Sequence, residues 1–154
     1  SGYDQNLKDV SQLQTRTCQR IEAVHAKLGL KDWALIRLQD KLDLPVAKLA
    51  KGRSKIRDEV YSIGYPLGAP KKRSLGKIRF VDFNKNYRIS LDAFVGQSGS
   101  PVFDQSTHEL IGILSSGESD DTDNSGNLQV KYCAETDCLG ELIISVENIL
   151  PSQE

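Results

Sequence analysis

The chain is 154 residues long, 38% hydrophobic and 27% charged, with a formal net charge of -1. It has enough apolar residues for a packed core and too little net charge for a disordered chain, and no run approaches the roughly eighteen apolar residues of a membrane-spanning helix. There is no Met, and three Cys leave one thiol without a partner inside the chain; both point to a processed or partial product.

The first fifteen residues are polar and read as loop, with no basic-then-apolar leader; a secretory signal is expected to have been removed or never to have existed. Arg16 to Val24 alternates loosely, as a strand does. Trp33 to Leu38 is a compact apolar run, followed by Leu42, Leu44, Pro45 and Val46. Val60 to Gly64 predicts a strand, broken by Tyr65-Pro66-Leu67-Gly68-Ala69-Pro70, which has the composition of a turn. Ile78 and Phe80, then Tyr87, Ile89 and Leu91, recur with period two around Asn84-Lys85-Asn86 and predict a hairpin. Val102-Phe103 and Leu110 to Leu114 bracket a polar turn and predict a second. An acidic loop follows from Glu118 to Asn127, then a short strand from Leu128 to Tyr132. Ser145 to Leu150 reads as a closing helix stopped by Pro151. Many short strands joined by Gly, Pro and Asn turns mean an all-β sandwich or barrel.

Charge is unevenly distributed. Residues 48–79 hold ten of the twenty basic residues against Asp58 and Glu59, whereas residues 118–154 hold nine acidic residues and one basic one, Lys131. A basic stretch can bind nucleic acid by counterion release, but no aromatic interleaving accompanies this one, so it reads as solvated loops and strand edges. No nucleic-acid or membrane partner is expected. Cys133 and Cys138 are close enough for a local disulfide, and the two His lie too far along the chain to complete a zinc site with them. Such a disulfide would place the protein in an oxidising compartment, secreted or periplasmic. Cys18 is then left as a buried thiol or tied to something outside the chain.

The stretch richest in chemistry is Gly96-Gln97-Ser98-Gly99-Ser100-Pro101-Val102-Phe103. A Ser between glycines ahead of a strand suits an exposed nucleophile on a tight turn. The Gly96 and Ser98 N–H groups are then placed to hold a tetrahedral oxyanion.

With its surroundings, this segment resembles the trypsin-like (chymotrypsin-fold) serine endopeptidases, especially the bacterial branch that includes the glutamyl endopeptidases. Asp32-Trp33-Ala34-Leu35-Ile36-Arg37-Leu38 is similar to the family's catalytic-aspartate segment, and Gly96 to Phe103 to its nucleophile segment. Gly112-Ile113-Leu114-Ser115-Ser116-Gly117 is similar to the strand lining the primary specificity pocket, and Tyr65 to Pro70 also matches the bacterial members. The blocks run in the family's order from about Arg16 to the C-terminus.

The resemblance implies a chymotrypsin-like double β-barrel. About 1–50 would be the remainder of the first barrel with Asp32, about 55–145 the second barrel with Ser98, and 145–150 the closing helix. It implies that Ser98 attacks a scissile carbonyl, that Asp32 orients a His, and that the Gly96 and Ser98 N–H groups hold the oxyanion, with no cofactor and no metal. It also implies that Asp92, six residues before Ser98, lies at the pocket base and favours Arg or Lys, with Ser115, Ser116 and Gly117 as pocket wall and substrate rail. The His that binds Glu side chains in glutamyl endopeptidases is missing from Ile113 to Gly117, which argues against Glu specificity. The acidic loop lacks the Gly and terminal Glu of an EF-hand and reads as solvated rather than calcium-binding.

The triad's base is missing. In the family the His lies well before the Asp, in a Thr-Ala-Ala-His-Cys-like block. His25 stands only seven residues before Asp32, in another context, and His108 lies in the polar turn Asp104 to Glu109. Either an N-terminal segment of the same precursor supplies the His, with Cys18 paired to the Cys that follows it, or the chain is a silent homologue that binds proteins or peptides.

Overall fold

The computed structural model describes residues 16–27, 31–118, 121–122, 125, 128–129 and 138–149. The chain divides into two compact units, Ser1–Val24 with Ala34–Pro45 and His25–Trp33 with Val46–Glu154.

Strands β1 (Cys18–Lys27) and β2 (Lys31–Leu38) pair as a two-stranded sheet. In the smaller unit, hydrogen bonds from Arg20 and then Arg37 hold the exposed Glu22 carboxyl below its ordinary range. The apolar residues that make these segments read as strands are not all covered: Ile21, Val24, Leu35 and Ile36 are exposed.

The larger unit is a closed barrel. Its strands are β3 (Glu59–Gly64), β4 (Lys72–Val81), β5 (Tyr87–Ile89), β6 (Pro101–Asp104), β7 (Leu110–Ser116) and β10 (Glu141–Ser145), in the order β10-β5-β4-β3-β6-β7, with β10 closing onto β7. Every pairing is antiparallel. Both expected hairpins form: β4 meets β5 through Ile78↔Ile89 and Val81↔Tyr87, and β6 meets β7 through Val102↔Gly112. Inward residues from six segments make one core, with Val60, Ile78, Ile89, Leu91, Val102, Ile111 and Ile143 all 0–1% exposed. Burying each such side chain stabilises the fold by about 1.5–3 kcal/mol. The fold is thus all-β, as expected, with one short helix.

Two local features differ from expectation and a third is met as far as the described residues go. Glu141–Ser145 is a strand, which the sequence did not reveal because all five residues are buried and no alternation remains. The closing helix α1 is Val146–Ile149, and Leu150 and Pro151 lie outside the described residues. Of the strand expected over Leu128 to Tyr132, Leu128–Gln129 (β9) pairs with Asp121–Thr122 (β8), and the rest lies outside the described residues.

Two polar knots fix the turns. Asn86, fully buried, takes its N–H to Asp82 Oδ1 at 2.8 Å, and its Oδ1 accepts from Asn148 Nδ2 at 2.7 Å and Ser145 N–H at 3.4 Å. It thereby ties the β4–β5 turn to the chain end. In the β6–β7 turn, Asp104 Oδ1 accepts from Ser106 N–H and Oγ and from Thr107 N–H at 2.6–2.8 Å. Burial alone would raise the Asp104 carboxyl, but the bonds from Ser106 and Thr107 outweigh it and hold the pKa below its ordinary value.

Candidate active site

The turn between β5 and β6 carries Ser98. Gly96 and Gly99 have φ of +91° and +84°, a left-handed backbone that side chains disfavour, so the glycines are what allow the turn. Gln97, 1% exposed, staples it: its Oε1 accepts the Phe94 N–H at 2.8 Å, and its N–H reaches the Phe94 carbonyl at 3.1 Å. The turn is clamped to β7, with Gly99 N–H on the Leu114 carbonyl at 2.7 Å and Leu114 N–H on the Ser100 carbonyl at 2.9 Å. Ser98 itself stays exposed.

Backbone donors alternate along this turn. The N–H groups of Gln97, Gly99 and Ser100 bond backbone carbonyls; those of Gly96 and Ser98 bond no backbone carbonyl among the described residues. The Val95 carbonyl accepts the Leu67 N–H at 2.9 Å. Because a trans peptide holds C=O and N–H antiparallel, that bond turns the Gly96 N–H away from Leu67. Leu67 sits in a 3-10 turn (Pro66–Gly68) at φ 52°, itself a left-handed conformation.

Ser115 connects the remaining groups. Its carbonyl accepts Ser98 Oγ at 3.3 Å, and its own Oγ donates to Asp32 Oδ2 at 2.9 Å. Asp32, Ser98 and Ser115 therefore share one hydrogen-bonded chain, although Asp32 lies far from Ser98 in sequence. All three belong to the larger unit.

Beside Ser98 opens a cavity of about 240 Å³, lined among others by Ala93, Gly96, Ser98, Ser116, Gly117 and Glu141. Of the expected pocket residues, Ser116 and Gly117 line it; Ser115 stands behind, between Ser98 and Asp32. Asp92 is placed elsewhere, bordering a separate depression with Glu59, Lys77, Ser90 and Gln105. Glu141, which the sequence reading missed with the rest of β10, is 4% exposed and lines the cavity.

Among the described residues, no hydrogen bond or ring contact joins either His to Ser98, Ser115 or Asp32. The His25 ring packs on Trp33 at 4.8 Å, and strand alternation turns Trp33 to the face opposite Asp32. His108 Nδ1 meets Tyr61 Oη at 3.2 Å. Cys18 is an exposed free thiol, not a buried one. Cys138 is buried, its carbonyl accepting from Arg79, and Cys133 lies outside the described residues. The described residues hold no group of three His, Cys, Asp or Glu suited to a metal ion.

A family model described as a trypsin-like peptidase domain matches residues 4–113. Among solved structures, the chain is similar to the active form of the Rv3671c protease from M. tuberculosis. The TM-score is 0.59 and the identity 17%, over 84% of this chain and 55% of that one. The inactive form of Rv3671c gives a TM-score of 0.59 and 17% identity over 87% and 63%. The chain thus spans between about half and two thirds of the structures it matches, and at this identity the likeness concerns the fold.

Proposed function

The chain belongs to the trypsin-like peptidase family, and from that premise we propose that it is the nucleophile-bearing part of a serine endopeptidase that cleaves after Arg or Lys. The observation that supports this most is the chain of hydrogen bonds from Ser98 through Ser115 to Asp32 beside a cavity. A module that only binds peptides has no chemical need for these groups together.

In this reading Ser98 Oγ attacks the scissile carbonyl carbon while a His takes its proton. The carbonyl electrons move onto oxygen, where the Gly96 and Ser98 N–H groups receive the charge. The C–N bond then breaks, the His returns the proton to the leaving amine, and water releases the acyl group from Ser98 by the same steps in reverse. Asp32, held by Ser115, orients the His and offsets the imidazolium charge. The His comes from an N-terminal segment of the same precursor, joined through a Cys paired with the exposed Cys18. That segment would also cover Ile21, Val24, Leu35 and Ile36, whose exposure supports its existence. A Cys133–Cys138 disulfide and a secreted or periplasmic location complete the proposal, which needs no cofactor.

The test is fluorophosphonate labelling with the N-terminal segment supplied, read by mass spectrometry. Labelling at Ser98, abolished in S98A, is the expected result. Absence of labelling under every such condition leaves the silent homologue in its place.

A further inference from the structure

We infer that Gln97 is a positioning residue for the chemistry at Ser98: its buried amide, seated against Gly64, fixes the directions of the Gly96 and Ser98 N–H groups. This deepens the peptidase reading and rests on it.

The two donors belong to two peptide groups, Val95–Gly96 and Gln97–Ser98, and each has its carbonyl tied down. The Val95 carbonyl accepts the Leu67 N–H, and the Gln97 carbonyl accepts the Ser100 N–H, both at 2.9 Å. A trans peptide holds its N–H opposite its C=O, so each tie also aims a donor. The ties alone leave the turn loose, because Gly96 and Gly99 are free to adopt other conformations. Gln97 supplies the missing constraint. It is 1% exposed, whereas Val95, Gly96, Ser98 and Gly99 around it are exposed. Its Oε1 accepts the Phe94 N–H at 2.8 Å, and its own N–H bonds the Phe94 carbonyl at 3.1 Å. These two bonds close a ring around Val95 and Gly96, and the bond from Ser100 closes a second around Ser98 and Gly99. Gln97 is common to both rings. An amide kept out of water is costly unless it is hydrogen-bonded, so breaking the Oε1 bond while the side chain stays buried is disfavoured.

Gly64, the last residue of β3, makes the seat. It is buried, and a Cβ there would stand 2.8 Å from Gln97 Nε2, 3.3 Å from its Cγ and 2.6 Å from Ser100 Oγ. Cβ atoms do not approach their neighbours that closely, so glycine is what lets the Gln97 amide lie against the strand. Ser62 nearby, fully buried, donates its Oγ to the Pro101 carbonyl at 3.0 Å. The strip from Ser62 to Leu67 therefore backs the nucleophile turn at Pro101, at Gln97 with Ser100, and at Val95. Donors held in place beforehand stabilise an oxyanion most, since nothing has to reorient as charge develops. Gln97 carries that order from the barrel wall to the exposed turn, and it is not among the residues lining the cavity.

Two measurements test the inference. The first needs no catalysis: backbone hydrogen exchange, resolved by NMR. The wild-type Phe94 N–H should exchange at least about 10-fold more slowly than an unprotected amide, and Q97A should remove that protection. An unprotected Phe94 N–H in the wild type overturns the inference without a variant, so a poorly folded Q97A cannot hide the answer. The second measurement, with the N-terminal segment supplied, separates kcat from KM. Q97A should lower kcat about 10–100-fold with KM within about 2-fold of wild type. Q97N, one methylene too short, should match Q97A, and Q97E, which keeps the length and the acceptor, should recover most of the loss. G64A, which removes the seat but keeps Gln97, should also lower kcat, and should add little further loss to Q97A. An unchanged kcat in Q97A, a loss confined to KM, or additive effects of G64A and Q97A overturns the inference. Ser98 labelling separates the two readings. Wild-type labelling with a normal kcat in Q97A defeats the role of Gln97 alone. A protected Phe94 N–H without labelling under any condition defeats the peptidase, and with it any part of Gln97 in catalysis.

Discussion

Replacing Ser115 with Ala tests the link between Asp32 and Ser98 most directly. The change removes the hydroxyl that donates to Asp32 Oδ2 at 2.9 Å and leaves the backbone carbonyl that accepts from Ser98. A hydrogen bond to an ionised group is worth about 1.5–3 kcal/mol. Ser115 is 8% exposed and Asp32 only half-buried; water therefore recovers part of the loss at the carboxylate, and the expected cost is about 1–2 kcal/mol. With a urea m value of about 2 kcal/mol/M, the unfolding midpoint should fall by roughly 0.5–1 M. S115T keeps the hydroxyl and should recover most of the difference. The decisive arm is a double-mutant cycle with D32A. If the two side chains interact as described, the costs of S115A and D32A fall short of additivity by about 1 kcal/mol. Additivity within about 0.3 kcal/mol would refute the reasoning.

Gly96→Ala adds a methyl that meets nothing nearer than 3.5 Å, so its effect comes from the φ of +91° rather than from a clash. A cost of about 1–2 kcal/mol follows, a Tm lowered by roughly 2–8 °C for a chain of this size; an unchanged melting curve would count against the turn geometry. The Asp104 carboxyl has a folded pKa below its ordinary value. Its stabilisation is therefore present at neutral pH and is lost as pH falls through that folded pKa. D104N should melt below wild type at pH 7, by under about 1 kcal/mol because the group is only half-buried and water screens it, and the gap should close below about pH 4. Melting curves of both proteins at pH 7, 5 and 3 check this, and a gap independent of pH would rule it out.

The second strand of the first hairpin was legible because one face meets the core, so Tyr87, Ile89 and Leu91 repeat with period two, whereas the register shift after Ile78 leaves Phe80 exposed against that expectation. Ser98 was legible because its turn needs glycine on either side of the Gln97–Ser98 pair, a local demand that writes itself into adjacent residues. Strand β10 was not, since Glu141 to Ser145 is buried on both faces and loses the alternation. That loss carried over to the pocket. Asp92 stands at the family's spacing from Ser98 and borders a separate depression, while Glu141 lines the cavity only through pairing with β5 and β7, which no spacing along the chain encodes. Gln97 was missed for a related reason: a polar residue in a polar turn gives no sign that its side chain is buried. Ile21, Val24, Leu35 and Ile36 read correctly as strand, but alternation says nothing of what covers an apolar face.

Strand β10 also sets an order of events in folding. It bonds β5 on one side and β7 on the other, and so forms the seam that turns a curved sheet into a closed cylinder. The β4–β5 and β6–β7 hairpins are local and can form early, whereas the seam joins segments far apart in the chain and carries a larger loop-closure cost. Glu141 lies on that seam. A nascent chain can therefore shape the turn around Ser98 before the cavity beside it, lined in part by Glu141, is closed. The wall that Glu141 gives that cavity arrives with the last pairing.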